Sequence, residues 1–151
     1  MALINLSLPH IQNLKQKFNN ESKMISLPIY YTKHYKTKPD KTFYVGLNWY
    51  RNAYHYEINE VKKYYHSLVA TYNNITAING PYKLKMLVYY KNPSSDGHNA
   101  TIVEKFFLDA IQELNIVKQD NVKYHLGTIW EVAGQDKDNP RMEIEIIPHD
   151  S

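Results

Sequence analysis

The sequence predicts a mixed α/β fold: a mixed sheet of about four to five strands, two main helices packed on it, and an N-terminal extension. Three observations predict it. Apolar and polar residues alternate with a period of two around 84–90, 122–130 and 142–146, as half-buried strands require. Between them, 57–72 and 98–114 carry apolar residues at three- and four-residue steps, the signature of a helix with one buried stripe. Finally, 151 residues with 43% hydrophobic content suffice for the core of one domain.

In chain order, Ser7 and Pro9 suit a helix start, and Ile11, Leu14 and Phe18 follow at helical spacing, so 8–19 is expected to be a short helix. Residues 20–40, rich in lysine and tyrosine with Pro28 and Pro39, read as a loop or an edge strand. Residues 1–40 are therefore taken as a basic extension and 41–151 as the domain. Thr42–Val45 is the first strand, and 48–52 is a polar, aromatic connection. In the helix 57–72, Ile58, Val61, Tyr65, Leu68 and Tyr72 form the apolar stripe, which leaves Lys62, Lys63 and His66 on a basic outer face. Asn79-Gly80-Pro81 breaks the chain. Leu84, Met86, Val88 and Tyr90 then line one face of a strand that ends at the turn 92–97. The second helix buries Val103, Phe106, Phe107, Ala110, Ile111 and Leu114. Two more strands follow, joined by the hydrophilic stretch 135–140, expected to be a hairpin loop. No internal repeat is visible.

The formal charge of +3 is unevenly spread. Residues 1–40 carry six lysines against Glu21 and Asp40, a balance of +4; the rest carries 12 basic and 13 acidic residues, a balance of −1. Tyr30, Tyr31 and Tyr35 are interleaved there with Lys33, His34, Lys36 and Lys38. Cations neutralise phosphates and rings stack on bases, so the pattern suits nucleic acid. A coding bias toward Tyr, Asn, Lys and Ile accounts for the same composition equally well. With no cysteine, a disulfide framework, a thiolate zinc site and a cysteine nucleophile are all excluded. No apolar run is long enough for a membrane span, the start lacks the features of a secretory signal, and no phosphate-binding glycine loop is present. A cytoplasmic address is expected, with no membrane partner.

The residues with the most chemistry cluster around the second helix: Asp96-Gly97-His98-Asn99, then Glu104, Lys105 and Asp109, then Asp120 before the next strand. Asp96 and His98, two apart at the end of an extended segment, can project to one side. Lys105, seven residues on, returns to that side after nearly two helical turns. Carboxylates converging from strand end, helix start and neighbouring strand can hold a hard cation such as Mg²⁺.

Here the chain resembles the RusA-like family of phage and prophage Holliday junction resolvases. The resemblance rests on a strand followed by Asp96-Gly97-His98-Asn99, a helix with Lys105-Phe106-Phe107-Leu108-Asp109-Ala110-Ile111, and Lys118-Gln119-Asp120-Asn121-Val122, and it covers about residues 43–147. The Asn48-Trp49-Tyr50-Arg51 segment and the helix after it also look like the family's N-terminal stretch. What the resemblance implies is a phage or prophage endodeoxyribonuclease in a bacterial host, a homodimer that binds branched DNA and cuts it with Mg²⁺ (or Mn²⁺). It implies Asp96, His98 and Asp120 as metal ligands, Asp96, Asp120 and Lys105 as catalytic residues, and Asn99, Glu104 and Asp109 in support. Lys33, Lys36, Lys38, Arg51, Lys62 and Lys63 are the expected DNA-binding cations. The chain departs from the family pattern at His98 and Gln119, where Asp is usual, and in a longer spacing from Asn99 to Lys105. An imidazole at position 98 suits Mn²⁺ or a transition metal better than Mg²⁺.

Simpler roles compete for each residue. Asp96 can cap the helix, Lys105 and Asp109 can pair with one another, Asp120-Asn121 can form a turn, and Lys62 and Lys63 can be a solvated face. Trp49 and Trp130 suit a core or a dimer interface. The competing function is a catalytically degenerate protein of the same fold that binds DNA or a protein partner in a regulatory or anti-host role.

Overall fold

The computed structural model describes residues 23–72, 75–92, 101–118, 121 and 123–149. The fold is mixed α/β. Its main sheet contains β1 (Lys23–Pro28), β4 (Tyr82–Tyr90), β5 (His125–Gln135) and β6 (Arg141–Pro148) in the order β1-β6-β4-β5. β6 runs antiparallel to both β1 and β4, while β4 and β5 are parallel. A separate hairpin pairs β2 (Tyr30–Lys33) with β3 (Lys41–Tyr44). The helices are α1 (Leu47–Asn52), α2 (His55–Ala70) and α3 (Thr101–Glu113).

The period-two pattern does what it predicts. Ile25 and Leu27, Leu84, Met86 and Val88, and Met142, Ile144 and Ile146 stand in register on one face and are buried. The opposite face carries Lys83, Lys85, Glu143 and Glu145 and is partly or fully open to water. Such one-sided burial is how an antiparallel sheet alternates. The helical stripes cover the apolar face: Val61, Tyr65 and Val69 from α2, and Val103, Phe106, Phe107, Ala110 and Ile111 from α3, join the same core. α3 ends where Asn115 turns left-handed (φ 59°), with the Ile116 N–H donating to the Ile111 carbonyl at 2.9 Å.

Two expectations are corrected. The stretch 48–52 is a helix. Leu47, Trp49 and Tyr50 turn onto the core, and Trp49 stacks on Phe43 at 5.2 Å and meets Phe106 edge-on at 6.3 Å, so tertiary packing holds a single short turn that local propensity would not. The stretch 135–140 does not close a hairpin, because β4 lies between β5 and β6. It passes over the end of β4, where the Asp136 N–H donates to the Tyr90 carbonyl at 2.7 Å. Asp136 accepts from the Asn139 N–H and from Arg141, which together hold its carboxyl below the usual range, and Arg141 lies 4.0 Å over the Tyr89 ring.

Within 20–40, Lys23–Pro28 is an edge strand whose Ile25 and Leu27 bury into the common core, Tyr30–Lys33 is a strand of the separate hairpin, and the rest of the described stretch up to 40 is connection. The expected helix 8–19 and the turn 93–97 lie outside the described residues.

Candidate functional site

The beginning of β5 and the first turn of α3 meet in a short chain of polar groups. The Thr128 hydroxyl donates to Glu104 Oε1 at 2.6 Å. That commits the hydroxyl proton, so Thr128 Oγ1 accepts from His125 Nε2 at 3.0 Å. The imidazole is held from the side by Tyr82, whose ring stacks on it at 5.5 Å with a 12° interplanar angle. A turn sets the strand's start: the Asn121 carbonyl accepts from the Tyr124 and His125 N–H groups at 3.0 and 2.8 Å, and its side-chain oxygen accepts from the Lys123 N–H. The Tyr82 N–H donates to the Tyr124 carbonyl at 2.7 Å, which locks this turn to β4. Gly127, at φ +149°, sits in the register shift that lets Thr128 face α3 rather than the opposite side.

Of the residues expected to form the site, Asp96, His98, Asn99 and Asp120 lie outside the described residues. Glu104 is half-buried and bonded as above. Lys105, one position on, is exposed. Asp109 faces α2, with Lys62 Nζ at 3.6 Å, so this lysine of the neighbouring helix partners it. Lys62 also lies 3.6 Å from Glu113, and His66 3.4 Å from the same carboxylate. Beside these pairs runs an open groove of about 560 Å³, lined by Asn59, Lys62, Lys63, His66, Ser67 and Glu113. The basic outer face expected of α2 is thus partly neutralised by α3.

The other expected DNA-binding cations divide in two. Lys33 is half-buried and donates to Glu57 at 3.2 Å; burial works to lower its pKa, but Glu57 and Glu60 outweigh it and the net shift is upward. Glu57 also accepts from the Trp49 indole at 3.0 Å. Burial opposes its ionisation, yet the bonds from Trp49 and Lys33 prevail and hold the carboxyl below its ordinary value. Tyr31, donating to Glu60 at 2.7 Å, is pushed up to about 12 by burial first and by that carboxylate second. In contrast, Lys36, Lys38, Arg51 and Lys63 are exposed, with Lys38 4.2 Å above the Tyr35 ring.

Sequence reasoning missed His125 and Thr128. The bond from Thr128 to Glu104 spans 24 positions, and no local spacing signals it. It also missed Tyr54 and Tyr56, which are 71% and 60% exposed. Their position at the start of an apolar stripe reads as packing.

Among the described residues, no three of His, Asp and Glu gather as a group able to hold a metal ion. Nor, among them, is any helix long and apolar enough to cross a membrane. No protein-family model matches the chain, and the search of curated proteins gives no match.

Proposed function

We propose that this chain is a divalent-metal-dependent, structure-selective endodeoxyribonuclease of the RusA-like kind. It would act as a homodimer on branched DNA during phage recombination or replication, in the cytoplasm of a bacterial host. The observation that carries this reading is the link Glu104–Thr128–His125. It fastens the first turn of α3, which follows Asn99, to the start of β5, which follows Asp120. The described part of the link joins helix and strand, and the motif acids themselves lie outside the described residues.

Asp96, His98 and Asp120 would hold Mg²⁺ or Mn²⁺, and two carboxylates with one imidazole form a donor set within the range of Mn²⁺. When bound, the cation supplies an activated water and charge stabilisation for phosphodiester hydrolysis. The chain's own groups have simpler tasks. Exposed Lys105 would offer a cation to the developing phosphate charge, and Asn99 would have the supporting role that the resemblance implies. Lys36, Lys38, Arg51 and Lys63 meet the DNA backbone.

The test is cleavage of a synthetic four-way junction in Mg²⁺ or Mn²⁺. Nicking is expected from the unaltered chain and is expected to fall at least about a hundred-fold, on the scale of a lost charge-stabilising group, in Asp96→Asn and in Asp120→Asn. Nicking that both variants retain would refute the proposal.

A second reading, the catalytically degenerate binder of DNA or of a protein partner, draws on a specific observation. Glu104, the acid available to make up for His98, already receives a hydrogen bond from Thr128, and Lys33 and Lys62 are occupied by acids. Calorimetry separates the two: junction binding that weakens with salt, in a protein that binds no divalent metal, favours the binder.

A further inference from the structure

We infer that Tyr54 and Tyr56 form a stacking platform for unpaired bases of single-stranded DNA. This deepens the proposed action on branched DNA, and rests on it, by naming what the protein holds at a branch point.

Most of the aromatic rings in the front half are at work inside the molecule. Tyr65 stacks on Phe106, Trp49 on Phe43, and Tyr31 meets Tyr64 edge-on. Tyr54 and Tyr56 stand outside this packing, stacked on each other, with His55 edge-on to Tyr56. They are the most exposed large apolar side chains among the described residues, and their rings lie parallel, 4° apart in plane, with centroids at 5.5 Å. Two rings so far out of the core contribute little to folding, since the area they remove from water is mostly each other's. What they present is the outer face of an exposed aromatic stack, just where α1 gives way to α2. Tyr54 is the N-cap of α2, and its backbone is fixed by the Glu57 and Ile58 N–H groups donating to its carbonyl. The platform is therefore mounted on a rigid helix start.

The charge around it fits a phosphate backbone. Arg51 is exposed in the last turn of α1, three residues before Tyr54. Lys36 and Lys38 follow on the exposed chain after β2, while Lys33, paired with Glu57, lies 5.8 Å over the Tyr56 ring. The nearby acids are already occupied: Glu57 by Lys33 and Trp49, Glu60 by Tyr31, and Asp40 by His34 at 2.8 Å. Aromatic faces flanked by cations bind single strands with little regard to sequence, because every base has a face to stack. Duplex DNA hides those faces, so the preference is for single strands and for the opened centre of a junction.

The probe is a fluorescein-labelled 12-residue oligothymidine, followed by anisotropy in EDTA so that cleavage plays no part. The unaltered chain is expected to bind it, and Tyr54→Ala/Tyr56→Ala about ten-fold or more weakly, the loss of stacking on the order of one base. Tyr54→Phe/Tyr56→Phe keeps both faces and is expected to bind as the unaltered chain does. Thermal melting of the variants shows whether the fold is intact. Equal affinity in all three proteins overturns the inference, and so does an equal loss in the alanine and phenylalanine pairs. No measurable binding by the unaltered chain overturns it as well, whatever role the pair then proves to have in self-association. Since the assay contains no metal, a chain that fails to cleave junctions but shows this pattern refutes the nuclease reading and leaves the platform standing.

Discussion

The two edges of the main sheet are finished in opposite ways. At β1 the outer hydrogen-bonding groups of Ser26 and Pro28 are closed off. The Tyr72 hydroxyl bonds both the N–H and the carbonyl of Ser26 at 3.0 Å, the Tyr65 hydroxyl donates to the Pro28 carbonyl at 2.6 Å, and Pro28 itself has no N–H. The chain then turns into the β2–β3 hairpin, which the Val45 N–H ties to the Ile29 carbonyl. β5, nearly twice as long, has no described residue bonded along its outer edge. Leu126, Ile129, Trp130 and Val132 stand 36–58% exposed along it. A bare strand edge is a template for another strand, and proteins that must stay alone cover it, shorten it or charge it. Among the described residues, one end of this sheet is sealed and the other is presented.

The sealed edge is the easier to break. Leu27 is fully buried in β1, opposite Met142, so Leu27→Ala should cost about 2–5 kcal/mol, read as a shift in the urea midpoint. A truncation that cost under about 1 kcal/mol would mean that β1 is an appendage rather than part of the sheet. Tyr72→Phe is gentler. It removes one hydroxyl from an exposed pair of bonds and should cost about 0.5–1.5 kcal/mol, with faster hydrogen exchange at the Ser26 amide and none at β5.

Acid should loosen the same side. Glu57 clasps the hairpin to α1 and α2 through Lys33 and Trp49, and its carboxyl titrates below its ordinary value. A group whose folded pKa is depressed adds stability above the unfolded value, near 4.3, and loses it as pH falls through the folded one. Stability should therefore drop below about pH 4 on this account, and Glu57→Gln should show a smaller difference between denaturation at pH 6 and at pH 3. An unchanged acid response in that variant would release Glu57 from the role.

How much of this could be read in the sequence depends on how local the signal is. Burial along β4 was legible because alternation at Leu84, Met86 and Val88 encodes it residue by residue. The stripes of α2 and α3 were legible for the same reason. Strand order was not: 122–130 and 142–146 alternate convincingly, but nothing in either says that β4 will come between them. α1 was hidden because Trp49 owes its helical turn to Phe43, on the preceding strand, and to Phe106, far away in the chain. Of the candidate site, the sequence showed acidic and basic residue types around α3. It could not show that Thr128 would take up Glu104, or that Lys62 would turn to Asp109.

The smallest effect on stability falls at the open edge, and it tests the comparison most sharply. Ile129 and Val132 are about half exposed, so Ile129→Lys and Val132→Lys should change folding by no more than about 0.5 kcal/mol. What they should change is association. Among the eleven residues of β5 the charged side chains are Glu131 and, when protonated, His125, so the strand lacks the lysines that keep an edge single. Two copies meeting here antiparallel, about a two-fold axis near Trp130, would pair their free edges and cover each other's apolar side chains. A lysine at 129 or 132 would place a charge inside that contact, shifting a dimer toward monomer in sedimentation while the urea midpoint at low concentration stays put. The matching change at the sealed edge, Met24→Lys, lies on the solvent face of β1 and should leave the sedimentation of the protein as it was. If Met24→Lys dissociated the protein and the β5 changes did not, the roles assigned to the two edges would have to be exchanged.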